Sequence, residues 1–399
     1  MFKTFQNLKK QYLVVFLMSV CVVFSGSLIA PIEQRFISSL TDNSALMGLT
    51  FTIGTLSISI ISLLFARLSK TYGKNRLIIA GAFLGIVFPL VYATSTNILQ
   101  YMGGKMIFGF AGAAMGPLLF AYLQEHISTE KNQGKLLGYL YSASSIAGSM
   151  GAILGGFFAD RYFLGAPYYL QFFILLIPFF LALKFFNYKE EIKTSKEKHN
   201  YLFGIKYILS NPYLLYRFLF EAPFRMMWSV EVVLYPIILL AFIDSNTIMG
   251  TIFATQGIVA MIILPLAGSL VDKKSYMTGM RLAFFIMGIS TLIMSFSNSL
   301  AMFWILAGLF SVGLAISGPA RGVLEIKNIE NEHRAEIIAT FSIFGYLFEA
   351  LSPFLAGILL AIFAPKTVLL FYSILIWVFF GIATLVLKIK LKNKTKIQL

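Results

Sequence analysis

Long apolar runs separated by short polar turns dominate the chain, and the runs are too long for strands. Roughly 20 consecutive apolar residues carry a helix across the hydrocarbon of a bilayer. Twelve such segments are predicted, near 12–33, 45–68, 76–96, 98–123, 136–159, 167–187, 213–242, 248–270, 277–297, 299–324, 336–362 and 366–388. The turns alternate in charge. RLSKTYGKNR after segment 2, HISTEKNQGK after segment 4, DKKSYMTGMR after segment 8 and NIENEHRAE after segment 10 carry basic residues, as do both termini. TSTN, DSNT and SNS after segments 3, 7 and 9 carry no Lys or Arg. The positive-inside rule therefore places both termini and the basic loops in the cytoplasm. The basic amino terminus has the charge order of a signal peptide, but the apolar run that follows is long enough to span and no small-residue cleavage pattern follows it. It is expected to be the first membrane helix.

The longest polar stretch, NYKEEIKTSKEKHN over 187–200, falls near the midpoint. It reads as a cytoplasmic linker with a short surface helix, so the expected organisation is a bundle over 1–187, a linker over 188–212 and a second bundle over 213–399. The halves also repeat. AAMGPLLF around Pro117 matches AISGPARG around Pro319, an offset of 319 − 117 = 202, which also carries Gly48 to Gly250, Gly116 to Gly318 and Gly155 to Gly357. Parallel internal repeats of this kind build many transporters, with the substrate site near the membrane midplane between them.

Segment 7 breaks the symmetry, because YRFLFEAPFRMMWSVEVVLYP carries Arg217, Glu221, Arg225 and Glu231. Steps of four on a helix advance about 40°, so Arg217, Glu221 and Arg225 form one slanting stripe, with Trp228 on the same side. Charges at membrane depth face a bundle interior or an aqueous cavity, so this segment should line a pathway. Glu221 and Arg225 fit an i, i+4 pair, with Pro223 loosening the backbone between them. Glu231 and Glu349 are the candidate proton-coupling carboxylates. A structural partnership of Glu231 with Lys105 or Arg225 is the competing reading, and for Glu349 structural pairing is the simpler one. Glu33 and Arg35 fit an interfacial pair. Trp228 could stack on a flat or cationic substrate, against plain packing as the alternative.

Composition settles the class. At 58% hydrophobic and 12% charged residues with mean hydropathy +0.82, this is a polytopic membrane protein, and a net charge of +15 is assigned to cytoplasmic loops rather than to nucleic acid. The single cysteine, Cys21, excludes an intramolecular disulfide. The three histidines are scattered over loops and linker, and no phosphate-binding glycine loop or nucleophile elbow is apparent. No enzyme activity, cofactor or metal site is expected.

The loops carry a family resemblance. AGSLVDKKS, with Gly268, Asp272 and Lys273, resembles the signature loop of the major facilitator superfamily, Gly-x-x-x-Asp-Arg/Lys-x-Gly-Arg/Lys. The related loop after segment 2 keeps Gly73, Lys74 and Arg76 but has Ala66 and Lys70 where the glycine and aspartate belong. Segment 4 is similar to the family's Arg-x-x-x-Gly helix with Lys105 for arginine. Segment 5 resembles the antiporter motif Gly-Pro-x-x-Gly-Gly, keeping Gly151, Gly155 and Gly156 but with Ala152 for proline. These glycines also have a packing explanation, and Asp272 beside Lys273 and Lys274 a solvated salt bridge as its own.

The resemblance implies an all-α fold of two six-helix bundles, with segments 1, 4, 7 and 10 around a central cavity and alternating access around it. It further implies a monomer in the cell membrane that exports a small organic molecule in exchange for protons, such as a drug or a secreted siderophore or metallophore. The charges of Arg225, Glu231 and Lys105 favour a polar, anionic or zwitterionic substrate. Proton symport of a nutrient and a non-transporting sensor or scaffold on the same fold are the alternatives.

Overall fold

A computed structural model describes residues 10–127, 133–186, 201–330 and 333–397. Their regular elements are helices: α1 (Lys10–Ile29), α2 (Glu33–Ser38), α3 (Ser44–Tyr72), α4 (Lys74–Ala93), α5 (Ile98–Ala113), α6 (Leu119–Ile127), α7 (Gln133–Arg161) and α8 (Ala166–Phe185), then α9 (Tyr201–Ser210), α10 (Pro212–Ser229), α11 (Tyr235–Leu240), α12 (Asn246–Lys273), α13 (Tyr276–Ser295), α14 (Leu300–Asn328), α15 (Arg334–Leu360) and α16 (Pro365–Ile397). Single π-helical turns, Ala114–Leu118 and Val230–Leu234, join α5 to α6 and α10 to α11. Counted across those turns, 12 helices among the described residues are long and apolar enough to cross a membrane. The segment pattern is therefore realised with shifts of a few residues; the seventh span, for example, runs over Pro212–Leu240.

Local chemistry explains where the helices start. Asn43, Asn97 and Asn211 and the hydroxyls of Ser275 and Ser299 accept from free amides of α3, α5, α10, α13 and α14. Such caps replace the intrahelical partner that the first turn lacks. Pro212 follows Asn211 directly, where a missing N–H costs nothing. Gly73 turns α3 into α4 at φ 81°, a conformation that a side chain would strain.

The chain forms two compact units, Met1–Lys196 with Asp244–Ala254, and Glu197–Ile243 with Thr255–Leu399. In the first, a core cluster runs from Tyr12 and Met18 through Ile78 and Leu119 to Leu140 and Phe186, and the Tyr12 hydroxyl donates to the Leu136 carbonyl at 2.7 Å. Glycine sets the closest approach within it: a Cβ on Gly155 would sit 1.8 Å from the Leu28 carbonyl oxygen, and one on Gly151 2.4 Å from that of Phe24. Helix association in a bilayer relies on such backbone contact because lipid is as apolar as the side chains. Gly156 is likewise blocked at 2.1 Å by the Asn246 carbonyl, in the stretch of α12 that belongs to this unit. There Asp160, near the end of α7, takes hydrogen bonds from the Asn246 and Thr247 amides at 2.9 and 2.8 Å and from three side chains of residues 245–247.

In the second unit, α9 lies on α15, with Gly204 against the Thr340 side chain and Phe203 4.7 Å from the ring of His333. Large apolar side chains such as Ile305 remain exposed, as expected of faces solvated by lipid.

Candidate functional site

The stripe predicted on the seventh span is present on α10, and it is the middle of a longer ion-pair chain in the second unit. Arg217 donates to Glu325 at 2.7 Å and to Glu221 at 2.5 Å. Arg225 donates to Glu221 at 2.8 Å and to Glu349, on α15, at 2.6 Å. Arg321, on α14, joins from the side at 3.3 Å from Glu221. Glu221 is only 1% exposed, so three guanidiniums compensate one carboxylate that water barely reaches. Rings close over the cations, with Phe341 4.1 Å from Arg217 and Phe224 3.8 Å from Arg321. Room for the central pair comes from Gly345, where a Cβ would lie 2.9 Å from Glu221 Oε1 and 3.0 Å from Arg225 Nε.

Beyond this chain the helix changes pitch. The π-helical turn Val230–Leu234 contains Glu231, which among the described residues accepts from the Gln256 side-chain amide at 3.4 Å. Such turns insert one residue into an α-helix and so redirect the side chains beyond it. Among the described residues Glu231 has no cationic group within 4.0 Å. The expected pairing of Glu231 with Arg225 is thus not what forms, since Arg225 is held by two other carboxylates; Lys105, the other expected partner, is bound to Glu33 within the first unit. A cavity of about 330 Å³ opens here, with Phe224, Met227, Phe310 and Leu314 as its walls and Arg225, Glu231 and Glu349 as its ionisable groups. The Trp228 side chain lies outside the described residues.

In the first unit Lys105 Nζ lies 2.5 Å from Glu33 Oε1, which also accepts from the Tyr101 hydroxyl at 2.8 Å. Tyr101 and Tyr168 share a further hydrogen bond at 2.9 Å. Phe51, Tyr92, Tyr101 and Phe108 present rings 4.9 to 5.7 Å from the ammonium, and Lys105 is 5% exposed. Glu33 and Arg35 accordingly do not pair with each other. Residues two apart on α2 point in different directions, and Arg35 donates instead to the Asp244 carbonyl at 2.7 Å.

The loop residues are simpler. Gly73 holds the positive-φ turn, with Lys74 and Arg76 in the first turn of α4. A Cβ on Gly268 would meet nothing within 4 Å. Asp272 is exposed and, among the described residues, forms no salt bridge with Lys273 or Lys274. Gly151 and Gly155 contact α1, and Gly156 the start of α12, so each is placed by close packing. Two participants carried weak signals in the sequence. Gly345 sits four residues before Glu349 on the same helix face, and Asp160 follows the glycine motif; neither position names its partner.

The family model described as Major Facilitator Superfamily matches residues 15–230 and 218–398. An MFS-type transporter of Methanocaldococcus jannaschii is 24% identical over 344 residues, covering 84% of this chain and 87% of the relative. Multidrug resistance protein 2 of Bacillus subtilis is 25% identical over 177 residues, 44% of this chain and 41% of the relative, so this match spans less than half of either chain. The crystal structure of the nucleoside transporter NupG superposes with a TM-score of 0.77 at 11% identity, covering 95% of this chain and 100% of that one, a likeness of fold.

Proposed function

The chain belongs to the Major Facilitator Superfamily, and from that premise we propose that it is a secondary active transporter that exports a small polar or amphipathic organic molecule in exchange for protons. The observation that carries this reading is the cavity beside α10, because ionisable groups at membrane depth are costly and persist where they line a substrate or ion pathway. Export draws support from the multidrug resistance relative and from the glycine motif of the fifth span.

On this reading the chain works as two six-helix halves, 1–187 and 213–399, joined through 188–212, by alternating access in a monomer of the cell membrane. Both termini and the basic loops face the cytoplasm. Glu231 and Arg225 line the pathway, Glu221 holds Arg225 from behind, and Lys105 is a fixed buried charge; Trp228, expected to stack on the substrate, lies outside the described side chains. Glu349 is the proton-coupling carboxylate, since a proton there would loosen its hold on Arg225. The loops with Gly73, Lys74 and Arg76, and with Gly268, Asp272 and Lys273, serve as gates, and Gly151, Gly155 and Gly156 provide a surface on which helices can slide.

The test is flux in proteoliposomes with a panel of fluorescent amphiphiles. An acidic lumen should drive accumulation inside the vesicles, as exchange for outgoing protons requires. Accumulation only under an alkaline lumen would make the protein an uptake symporter, and no gradient-dependent flux across the panel would favour the sensor or scaffold reading.

A further inference from the structure

The seam between α13 and α16 carries charges that the transport site does not use. The two helices pack antiparallel. Gly288 lies against the Trp377 ring, the rings of Phe284 and Phe380 are 5.2 Å apart, and toward the start of α13 Arg281 and Thr384 both stand beside the Tyr216 hydroxyl. On α16, Trp377, Gly381, Thr384 and Lys388 follow at steps of four, three and four and so form one stripe along the seam. On α13 the facing stripe is Arg281 with Phe285 one turn further in, its ring 5.8 Å from that of Trp377. Arg281, Phe285, Gly381 and Lys388 are exposed, and a Cβ on Gly381 would meet nothing within 4 Å, which leaves a notch in a face otherwise solvated by lipid.

The polar end of the notch is made of donors. Among the described residues neither Arg281 nor Lys388 has a carboxylate within 4.0 Å, and the Tyr216 and Thr384 hydroxyls add no negative charge. Lys390, by contrast, is tied to the Leu209 carbonyl of α9. Arg281 lies five residues into a 20-residue span, roughly 7.5 Å along its helix. A cation at that depth needs an anion, and by reaching back toward the headgroup layer it finds phosphate.

We infer that the notch between α13 and α16 binds an anionic phospholipid of the adjoining leaflet, its phosphate held by Arg281 and Lys388 and an acyl chain lying along Gly381 and Phe285. A guanidinium takes two phosphate oxygens at once, which fixes the headgroup more closely than a lone surface lysine would. Basic pockets between membrane helices suit such headgroups. A headgroup with its own ammonium would bring a third positive charge beside the two, so phosphatidylglycerol fits the notch better than phosphatidylcholine. The site requires only that the chain span a bilayer and is independent of what the cavity beside α10 carries.

Native mass spectrometry of the purified full chain in detergent tests this, with phosphatidylglycerol and phosphatidylcholine of identical acyl chains titrated separately. Wild type would be compared with Arg281→Gln/Lys388→Gln, with Gly381→Leu, and with Arg67→Gln/Lys184→Gln, which removes the same charge from the first unit. Every substituted position is exposed, and melting temperatures without lipid check that each variant folds. We expect wild type to bind phosphatidylglycerol at least about tenfold more tightly than phosphatidylcholine, and Arg281→Gln/Lys388→Gln to lose at least about tenfold of that affinity. Gly381→Leu should lose part of it, and Arg67→Gln/Lys184→Gln should stay within about twofold of wild type. Equal affinity of wild type for the two lipids, or unchanged phosphatidylglycerol binding in folded Arg281→Gln/Lys388→Gln or Gly381→Leu, would overturn the inference. So would an equal loss in Arg67→Gln/Lys184→Gln, which would mean attraction to net charge alone, or displacement of the lipid by an equal concentration of glycerol phosphate, which would make this a site for free phosphate.

Discussion

Two buried sets of charges, one in each unit, have opposite characters. Lys105 and Glu33 form a closed pair: one cation, one anion, a tyrosine hydroxyl on the same carboxylate oxygen and four rings around the ammonium. The second unit alternates glutamate and arginine from Glu325 to Glu349 and then places one more carboxylate, Glu231, at a cavity without a cation. Charge burial by itself therefore does not mark a site. A closed pair can be replaced by apolar groups at little loss of stability, whereas a carboxyl group buried without a cation carries a desolvation cost that packing alone would not retain. The comparison directs attention to Glu231.

Its sharpest consequence concerns the hub. Glu221→Gln removes the carboxylate that three guanidiniums share and should destabilise by about 3–5 kcal/mol, seen as a collapse of melting temperature or of folded yield in detergent. Lys105→Met should cost nearly as much, because among the described residues Glu33 is then left buried with the Tyr101 hydroxyl alone to satisfy it. Adding Glu33→Gln should restore much of that loss, and a double-mutant cycle on thermal stability reads the coupling directly. If the double variant were no better than Lys105→Met alone, the pair would not be the closed unit described. Gly345→Ala probes the fit of the chain: its methyl meets Glu221 and Arg225 at 2.9 and 3.0 Å, and a loss of about 1–3 kcal/mol is expected. Asp160→Asn, outside both sets, should cost about 1–2 kcal/mol, since the single oxygen of asparagine can accept from one of the two amides that Asp160 holds on separate oxygens, and its NH2 faces the other.

The sequence made legible what depends on a single helix. Hydropathy located all 12 spans because each must be apolar over its own length, and spacing of four predicted one stripe of Arg217, Glu221 and Arg225 with Glu221 and Arg225 paired on it. Partners drawn from other helices were out of reach. Lys105 finds Glu33 across 72 positions and Arg225 finds Glu349 across 124, and periodicity tells which way a side chain points but not which helix stands opposite. The expected pairing of Glu231 with Arg225 failed for that reason. The π-helical turn at Glu231 was equally hidden, because its apolar neighbours Val230, Val232 and Val233 fit an α-helix as well.

The central claim is the one proposed above, that the chain exports an amphipathic molecule in exchange for protons through the cavity lined by Glu231. It is tested most directly by ethidium entry into proteoliposomes that carry trapped DNA and an acidic lumen. The account predicts that wild type fills the lumen with dye, that collapsing the pH gradient stops it, and that folded Glu231→Gln moves ethidium at least about tenfold more slowly. Gradient-driven entry in Glu231→Gln at the wild-type rate would contradict it.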